Sequence, residues 1–329
     1  MYSFNGKSIF ISGGCGSLGT SLVSRLLLTE ARRIVVFDNN QAKLAELERR
    51  QTDSRLRFFV GDVRDYSRIR RGLEGCDVAF HCAALKIIPS CEYNPFETIK
   101  TNVMGSQNFI EACLDTVPEI AVGVSTDKAC SPLNLYGATK LCMERLFVAA
   151  NRYKGSRKTI FTCVRYGNVL GSAESVIPVW LERVKNGQEI MMTNPDMTRF
   201  SITINQAVEF IFSSLSLARG SEIFIPKLKS YLVRDLAEAF ASLLPKTHIQ
   251  TRVTGARVGE KDHEMLINEH EIRAAYSTSH GYVICNGDEK DGFIYGPILT
   301  GLKRYSSEAA ERMTVRELAD LLRKEDLVP

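Results

Sequence analysis

Two short stretches carry the chemistry of this 329-residue chain: Ser125-Thr126-Asp127-Lys128 and Tyr136-Gly-Ala-Thr-Lys140. On a helix, residues four apart share a face, so Tyr136 and Lys140 stand together, about 5–6 Å apart at Cβ. An ammonium beside a phenol favours the phenolate, and such a pair can move a proton while a neighbouring carbon gives up hydride. Asp127 and Lys128 add an acid and a potential base directly after the apolar run Ile120–Val124. A site that oxidises and also owns a separate acid and base can eliminate.

These groups need a scaffold, and the first half of the chain alternates strands with helices. Ser8–Ser12 reads as a short buried strand, followed at once by Gly13-Gly-Cys-Gly-Ser-Leu-Gly19 and a helix with apolar spacing. Gly13, Gly16 and Gly19, with Ser17 and Leu18 between them, let backbone approach a pyrophosphate resting on the helix N-terminus. The next strand, Arg33–Asp38, ends in Asp38-Asn39, about 20 residues beyond the loop, where ribose hydroxyls arrive. A helix over Gln41–Arg50 and a strand over Leu56–Asp62 bring Asp62 and Val63 to the adenine end. A helix over Arg68–Leu73 precedes a fourth strand, Asp77–Ala84, whose small residues Ala83 and Ala84 allow a cofactor ribose to lie close. The fold class expected is α/β: a doubly wound parallel Rossmann sheet with a smaller, interleaved C-terminal substrate-binding region. His81 reads as a strand residue rather than a base, and Arg64 and Asp65 as surface charges. Lys86 is either a solvated loop lysine or a contact to cofactor or substrate.

Composition narrows the class. Net charge is +4 with 24% charged residues, and no basic stripe is interleaved with aromatics, so nucleic acid is not expected as a partner. Apolar runs are strand-sized and broken by Gly or charge, so no membrane segment is expected. The N-terminus runs into a strand without a signal-peptide core, which points to the cytoplasm. Nine cysteines without a C-x-x-C pair read as reduced thiols, with no metal site expected.

The motifs together resemble an extended short-chain dehydrogenase/reductase, specifically the inverting UDP-N-acetylglucosamine 4,6-dehydratases that open pseudaminic acid synthesis. The glycine loop, Phe59–Asp65, Ala83–Lys86, Glu92–Glu97, Lys100–Asn102, Ser125–Ala129, Asn134–Lys140, Arg165–Val169, Met197–Phe200 and Gly259–Lys261 carry it, in order. The resemblance implies oxidation at C4, loss of water across C5 and C6, and return of the hydride to C6. It implies Asp127 as general acid, Lys128 as the base at C5, Tyr136 and Lys140 for the hydride steps, and Thr126 bonding near the reacting oxygen. Related dehydratases carry glutamate where Lys128 stands. For lysine to act as a base it must be neutral part of the time. Desolvation, a nearby Lys140 cation and the oxidised nicotinamide are expected to push it that way. The cofactor implied is NAD or NADP, tightly bound and recycled. Many relatives carry Ser-Arg at Asp38-Asn39, and the acid repels a 2′-phosphate, so NAD is favoured.

The second half is expected to hold a UDP-sugar. Asn168 and Val169 follow the sixth strand, with Asn168 on the diphosphate or sugar. Val176 lies at a helix N-terminus that can meet phosphate. Met192 and Thr193 would frame uracil, and Glu260 would accept from the ribose. Arg257 is a candidate for the diphosphate. Arg199 is open to two readings, a phosphate contact or a structural ion pair. Ala173-Glu174 replaces the usual Arg-Gly, removing a cation, and Ser201 stands where tryptophan is usual. Residues 1–166 form the dinucleotide domain with a return segment about 201–226. Residues 167–200 and 227–285 form the substrate region, and 286–329 a C-terminal extension. Relatives assemble as dimers to hexamers, so a homo-oligomer is expected. Two alternatives stay open: a 4-epimerase, which needs Tyr136 and Lys140 but not Asp127–Lys128, and a noncatalytic dinucleotide-sensing regulator.

Overall fold

The computed structural model describes residues 2–244, 249–286 and 295–329. Six strands come first: β1 Ser8–Ser12, β2 Arg33–Asp38, β3 Leu56–Val60, β4 Val78–His81, β5 Ile120–Thr126 and β6 Ile160–Tyr166. All residues of β1 and β4 are buried, as a parallel sheet covered on both faces requires. Ten shorter strands follow: β7 Asn168–Val169, β8 Ile190–Met192, β9 Thr198–Ile202, β10 Glu222–Pro226, β11 Ser230–Leu232, β12 Thr251–Val253, β13 Met265–Ile267, β14 Ala275–Thr278, β15 Gly281–Cys285 and β16 Tyr305–Ser306.

The main sheet runs β3-β2-β1-β4-β5-β6-β10-β15-β14. Its first seven strands are parallel, and β15 and β14 add antiparallel pairs at the far edge. Chain order reverses between β1 and β4, and a doubly wound sheet opens its ligand crevice at such a reversal, beyond the strands' carboxyl ends. On one face Leu22 and Leu26 of the helix Ser17–Leu27 meet Ile211 and Leu215 of the helix Ile204–Leu217. On the other, Ile69, Phe109 and Phe147 fill the space under three further helices. This is the expected α/β Rossmann arrangement.

Local chemistry sets several boundaries that spacing alone misplaced. The third helix spans Tyr66–Leu73 and starts before Arg68, because the Asp65 carboxylate caps it by accepting from the Arg68 N–H at 3.0 Å. Asp65 is therefore a cap rather than a free surface charge. Arg64 donates to both Asp62 oxygens, at 3.0 and 2.7 Å, and to Glu97 at 2.8 Å. His81 lies between Ser12 Oγ (2.8 Å) and Ser106 Oγ (3.0 Å). Burial pushes its pKa down to about 3, so it is a neutral strand residue.

A smaller core lies in the second half, where Trp180, Ile190, Tyr231, Phe240, Leu318 and Leu322 pack together. Trp180 meets the Phe240 ring at 5.6 Å between centroids. The helix Val315–Lys324, opened by a Thr314–Glu317 capping box, belongs to this core. The pairing of β16 with β13 instead places Tyr305 beside Leu266 and Ile267 in the core that holds Phe109 and Phe147. Part of the segment expected as a C-terminal extension, residues 287–294, lies outside the described residues. Of its remainder, Tyr295 and Leu299 pack against the cores of the main sheet, and the helix Val315–Lys324 packs in the smaller core.

Candidate active site

One continuous cavity of ≈ 870 Å³ runs from the glycine loop past Tyr136 to Arg257. That is at the upper end of small-molecule sites, which span roughly 300–1,000 Å³. At its first end the backbone is packed as a phosphate cradle needs. A Cβ on Gly13 would meet the Ala83 nitrogen at 2.7 Å, and one on Gly19 the Gly13 carbonyl at 2.4 Å. Gly13 also has φ +67°, a conformation that favours glycine. Gly13, Gly16, Ser17, Leu18, Gly19, Ala83, Ala84 and Lys86 all line the cavity. These residues fit the pyrophosphate and ribose of a dinucleotide.

Asp38 and Asn39 line the same end with Val63 and with Lys43, a lysine the sequence reading did not single out. The Asp38 oxygens accept from the Cys15 N–H (3.0 Å) and the Asn40 N–H (2.9 Å), which fixes the carboxylate at the end of β2. Asp62 is not on the cavity wall; Arg64 and Asn39 engage it instead. Lys86 donates to the Ala173 carbonyl at 2.9 Å, so it straps the loop between β7 and the next helix to the cofactor side.

The reacting end is set by the junction of β5 and the helix Leu135–Tyr153. Thr126 closes the strand, and Asp127–Ala129 turns as a single 3₁₀ loop. The helix then begins at an Asn134 cap, whose side chain accepts from the Gly137 N–H at 2.8 Å. Gly137 has to be glycine, because a Cβ there would sit 2.2 Å from the Lys128 carbonyl oxygen. That close approach presses the start of the Tyr136 helix onto the Asp127–Lys128 turn. Thr126, Lys128, Tyr136 and Lys140 line the cavity, and Asp127 lies just behind them, 0% exposed.

Charge in this cluster departs from the sequence expectation. Lys128 Nζ lies 3.1 Å from Asp127 Oδ1, 3.0 Å from Asn168 Oδ1 and 3.4 Å from Glu264 Oε1. Burial works against its charge, but Asp127 and Glu264 outweigh burial and the repulsion of Arg199, and hold the ammonium above the usual lysine range. The expected neutral lysine is thus corrected: the resting site keeps Lys128 protonated. Lys140, expected to help discharge it, is buried beside Met143 Sδ (3.1 Å), and burial lowers its own pKa to about 8.

Tyr136 is likewise tuned by a different neighbour. Burial pushes the phenol up to about 12, and the nearest cation pulling it down is Lys128, helped by a hydrogen bond with Thr126. Lys140 shares the cavity but does not supply that pull. Thr126 Oγ1 also donates to Asp127 Oδ1 at 2.9 Å. Asp127 Oδ2 is buried without a partner among the described residues. This leaves a carboxylate oxygen ready to hold a proton.

At the far end of the cavity some of the expected residues line the wall and others do not. Asn168, Val169, Val176, Arg257 and Glu260 line the cavity. Asn168 serves Lys128 and Tyr231 rather than standing free. Ser175 Oγ, at the N-terminus of the helix Val176–Lys185, is buried without a partner among the described residues. Arg199 resolves to an ion pair: only 7% exposed, it donates to Glu260 Oε1 at 3.0 Å and approaches Glu264 at 4.0 Å. Glu260 is consequently engaged by Arg199 and by Thr193 Oγ1 (3.2 Å). Met192 and Thr193 are not on the cavity wall; Met192 packs into the smaller core. Ser201, on β9, is buried behind the site.

Besides Lys43, the missed lining residues that bear on the chemistry are Glu264 and Tyr231. Both come from segments far along the chain, and only the fold brings them to Lys128. Among the described residues no cluster of three or more His, Cys, Asp or Glu could hold a metal, and no helix is long and apolar enough to cross a membrane. No disulfide joins the nine cysteines, which are all thiols.

Comparison with known proteins places this geometry. Residues 9–286 match the family described as polysaccharide biosynthesis protein. An uncharacterized membrane protein of Methanocaldococcus jannaschii is 44% identical over 89% of this chain and 91% of its own length. The inverting UDP-N-acetylglucosamine 4,6-dehydratase of Campylobacter jejuni is 40% identical over 85% of this chain and 83% of its own. A UDP-glucose 4-epimerase of Rickettsia prowazekii is 33% identical over 99% and 98%. The crystal structure of Pen from Bacillus thuringiensis superposes with a TM-score of 0.93 at 34% identity, covering 100% of both chains. The glycine cradle, the paired Asp127 and Lys128 and these relatives agree, and the chain belongs to the polysaccharide biosynthesis protein family of extended short-chain dehydrogenase/reductases.

Proposed function

We propose that this chain is a nucleotide-sugar 4,6-dehydratase acting on UDP-N-acetylglucosamine and giving the C5-inverted 4-keto-6-deoxy sugar. The observation that carries the reading is the packing of Asp127 and Lys128 against Tyr136 at one cavity wall, opposite a glycine cradle. A nicotinamide dinucleotide bound in that cradle would accept hydride from C4 and return it to C6. The Tyr136 phenolate takes the proton of the C4 hydroxyl, with Thr126 bonding to the same oxygen. The C4 ketone makes the C5 proton acidic. Elimination then needs Lys128 without its extra proton and Asp127 with one. A single shift across their 3.1 Å contact supplies both: the Lys128 N–H bond breaks and an O–H bond forms on Asp127. Lys128 takes the C5 proton, Asp127 protonates the C6 hydroxyl, and water leaves; once hydride is back on C6, the enolate takes a proton at C5 from solvent on the opposite face, which gives the inversion. Such proton transfers contribute on the order of 10²–10⁴-fold each.

The sugar nucleotide would lie between Val169, Val176 and Arg257, with phosphate at the Ser175 end of its helix. A 4-epimerase is favoured by the Rickettsia relative and needs only Tyr136 and Lys140. The Asp127–Lys128–Glu264 cluster argues against it, because epimerisation has no use for an acid and base at C5 and C6. Incubation with UDP-N-acetylglucosamine separates them: the dehydratase product is lighter by one water, whereas an epimerase product keeps the mass. A noncatalytic regulator would change neither.

A homo-oligomer serving pseudaminic acid synthesis is supported by the resemblance to the inverting dehydratases alone, and a cytoplasmic location by the reduced cysteines.

Cofactor preference gives a separate prediction. Asp38 is pinned by two backbone N–H groups at the ribose end, and its charge repels a 2′-phosphate. NAD is expected to bind about tenfold or more tighter than NADP, a gap of about 1.4 kcal/mol. Asp38→Ser should narrow that gap, with Lys43 then free to favour the phosphate. Dissociation constants from fluorescence titration check it; tighter NADP in the unmodified protein would show that Lys43 outweighs Asp38.

A further inference from the structure

Glu264 is a buried carboxylate beside Lys128 that the proposed steps leave unused. It is 3% exposed, lines the cavity and lies 3.4 Å from Lys128 Nζ and 4.0 Å from Arg199 Nε. Its Oε2 is buried with no partner among the described residues. Its place is built rather than incidental. Ser307 Oγ accepts from the Glu264 N–H (2.9 Å) and donates to the Thr198 carbonyl (3.1 Å), so the chain's end fixes the residue against β9.

We propose that Glu264 is a positioning residue for the dehydration: its carboxylate holds the Lys128 side chain toward Asp127 and retains in the site the one proton those two residues share. This rests on the reading of Lys128 as the base at C5. The acid and base forms needed for elimination contain the same single proton as the resting pair, so catalysis proceeds while that proton stays and stops when it escapes to solvent. Several other groups act around Lys128. Asp127 comes from its own turn, Arg199 from β9 and Tyr136 from the following helix, while Asn168 and Tyr231 are uncharged neighbours. Arg199 opposes the proton's retention, and Glu260 pairs Arg199. Glu264 thus supplies, beside Asp127, the second anion that keeps the proton in place.

The sign follows directly. Removing the Glu264 charge weakens the hold on the ammonium, so the shared proton is lost at lower pH. In Glu264→Gln the alkaline limb of C5 solvent exchange should move down by about one pH unit or more, which is about tenfold less exchange at a pH on the unmodified enzyme's plateau. A merely structural loss would lower the rate by one factor at every pH and leave the limb in place. Glu264→Asp keeps the charge one methylene further back and should give a limb between the two. The experiment is deuterium uptake at C5 of UDP-N-acetylglucosamine products in short incubations, from about pH 7 to about pH 12, in all three proteins, because the unmodified limb lies above the usual lysine range. An unshifted limb in Glu264→Gln overturns the proposal, and so does an unshifted limb in Glu264→Asp if the Gln variant does not fold. Lys128→Ala separates the two ideas. Exchange persisting there removes the base, whereas exchange lost there with an unshifted Gln limb removes only the role of Glu264.

Discussion

Tyr136→Phe is expected to cut turnover by about 10²–10⁴-fold while leaving dinucleotide binding and thermal stability close to those of the unmodified protein. The substitution keeps the ring and removes only the oxygen that takes the C4 proton. Burial raises this phenol to about 12 even with Lys128 and Thr126 working against the rise, so its usefulness depends on both of them staying in place. All later steps require the ketone, so no reduced-nicotinamide absorbance and no C5 exchange should appear in a single turnover. Near-normal turnover in this variant would remove Tyr136 from the redox step.

Lys128→Ala is expected to abolish deuterium uptake at C5, and the geometry adds a second consequence. Lys128 is the cation that lowers the Tyr136 pKa, so the alanine variant should also oxidise C4 more slowly. The two effects are separable: reduced nicotinamide still accumulates, only later, and then persists because elimination cannot follow. Asp127 and Glu264 lose the ammonium between them, and two buried carboxylates left facing each other favour uptake of a proton by one of them. Lower thermal stability, recovered partly on acidification, should accompany the loss of exchange. Exchange at the normal rate in Lys128→Ala would mean that another group takes the C5 proton.

Much of the scaffold was legible because its signals are local. Three glycines between a strand and a helix, the alternation from Ser8 to Thr126, and the i, i+4 spacing of Tyr136 and Lys140 each lie within a few residues. Gly137 shows how local identity carries tertiary meaning, since its missing side chain is what admits the Lys128 carbonyl. The charge state of the site was not legible. Whether Lys128 is neutral depends on Glu264, brought in from far along the chain by the β13–β16 pairing and Ser307. Arg199 could not be assigned for the same reason: a guanidinium suits phosphate and carboxylate equally, and only the fold puts Glu260 at 3.0 Å. Met192 illustrates the opposite failure, because a motif position read as a base contact faces the smaller core. The C-terminal segment carried too weak a pattern to show that Ser307 holds the Glu264 backbone in place.

The most direct measurement is the reaction of the unmodified protein with UDP-N-acetylglucosamine in deuterated water, the first-formed product being read by NMR before any later epimerisation. The account predicts a 4-keto-6-deoxy sugar lacking one water, carrying deuterium at C5 with inverted configuration there and the original C4 hydrogen at C6. A C4 epimer of unchanged mass, or a 4-keto-6-deoxy product that retains the starting C5 configuration, would contradict it.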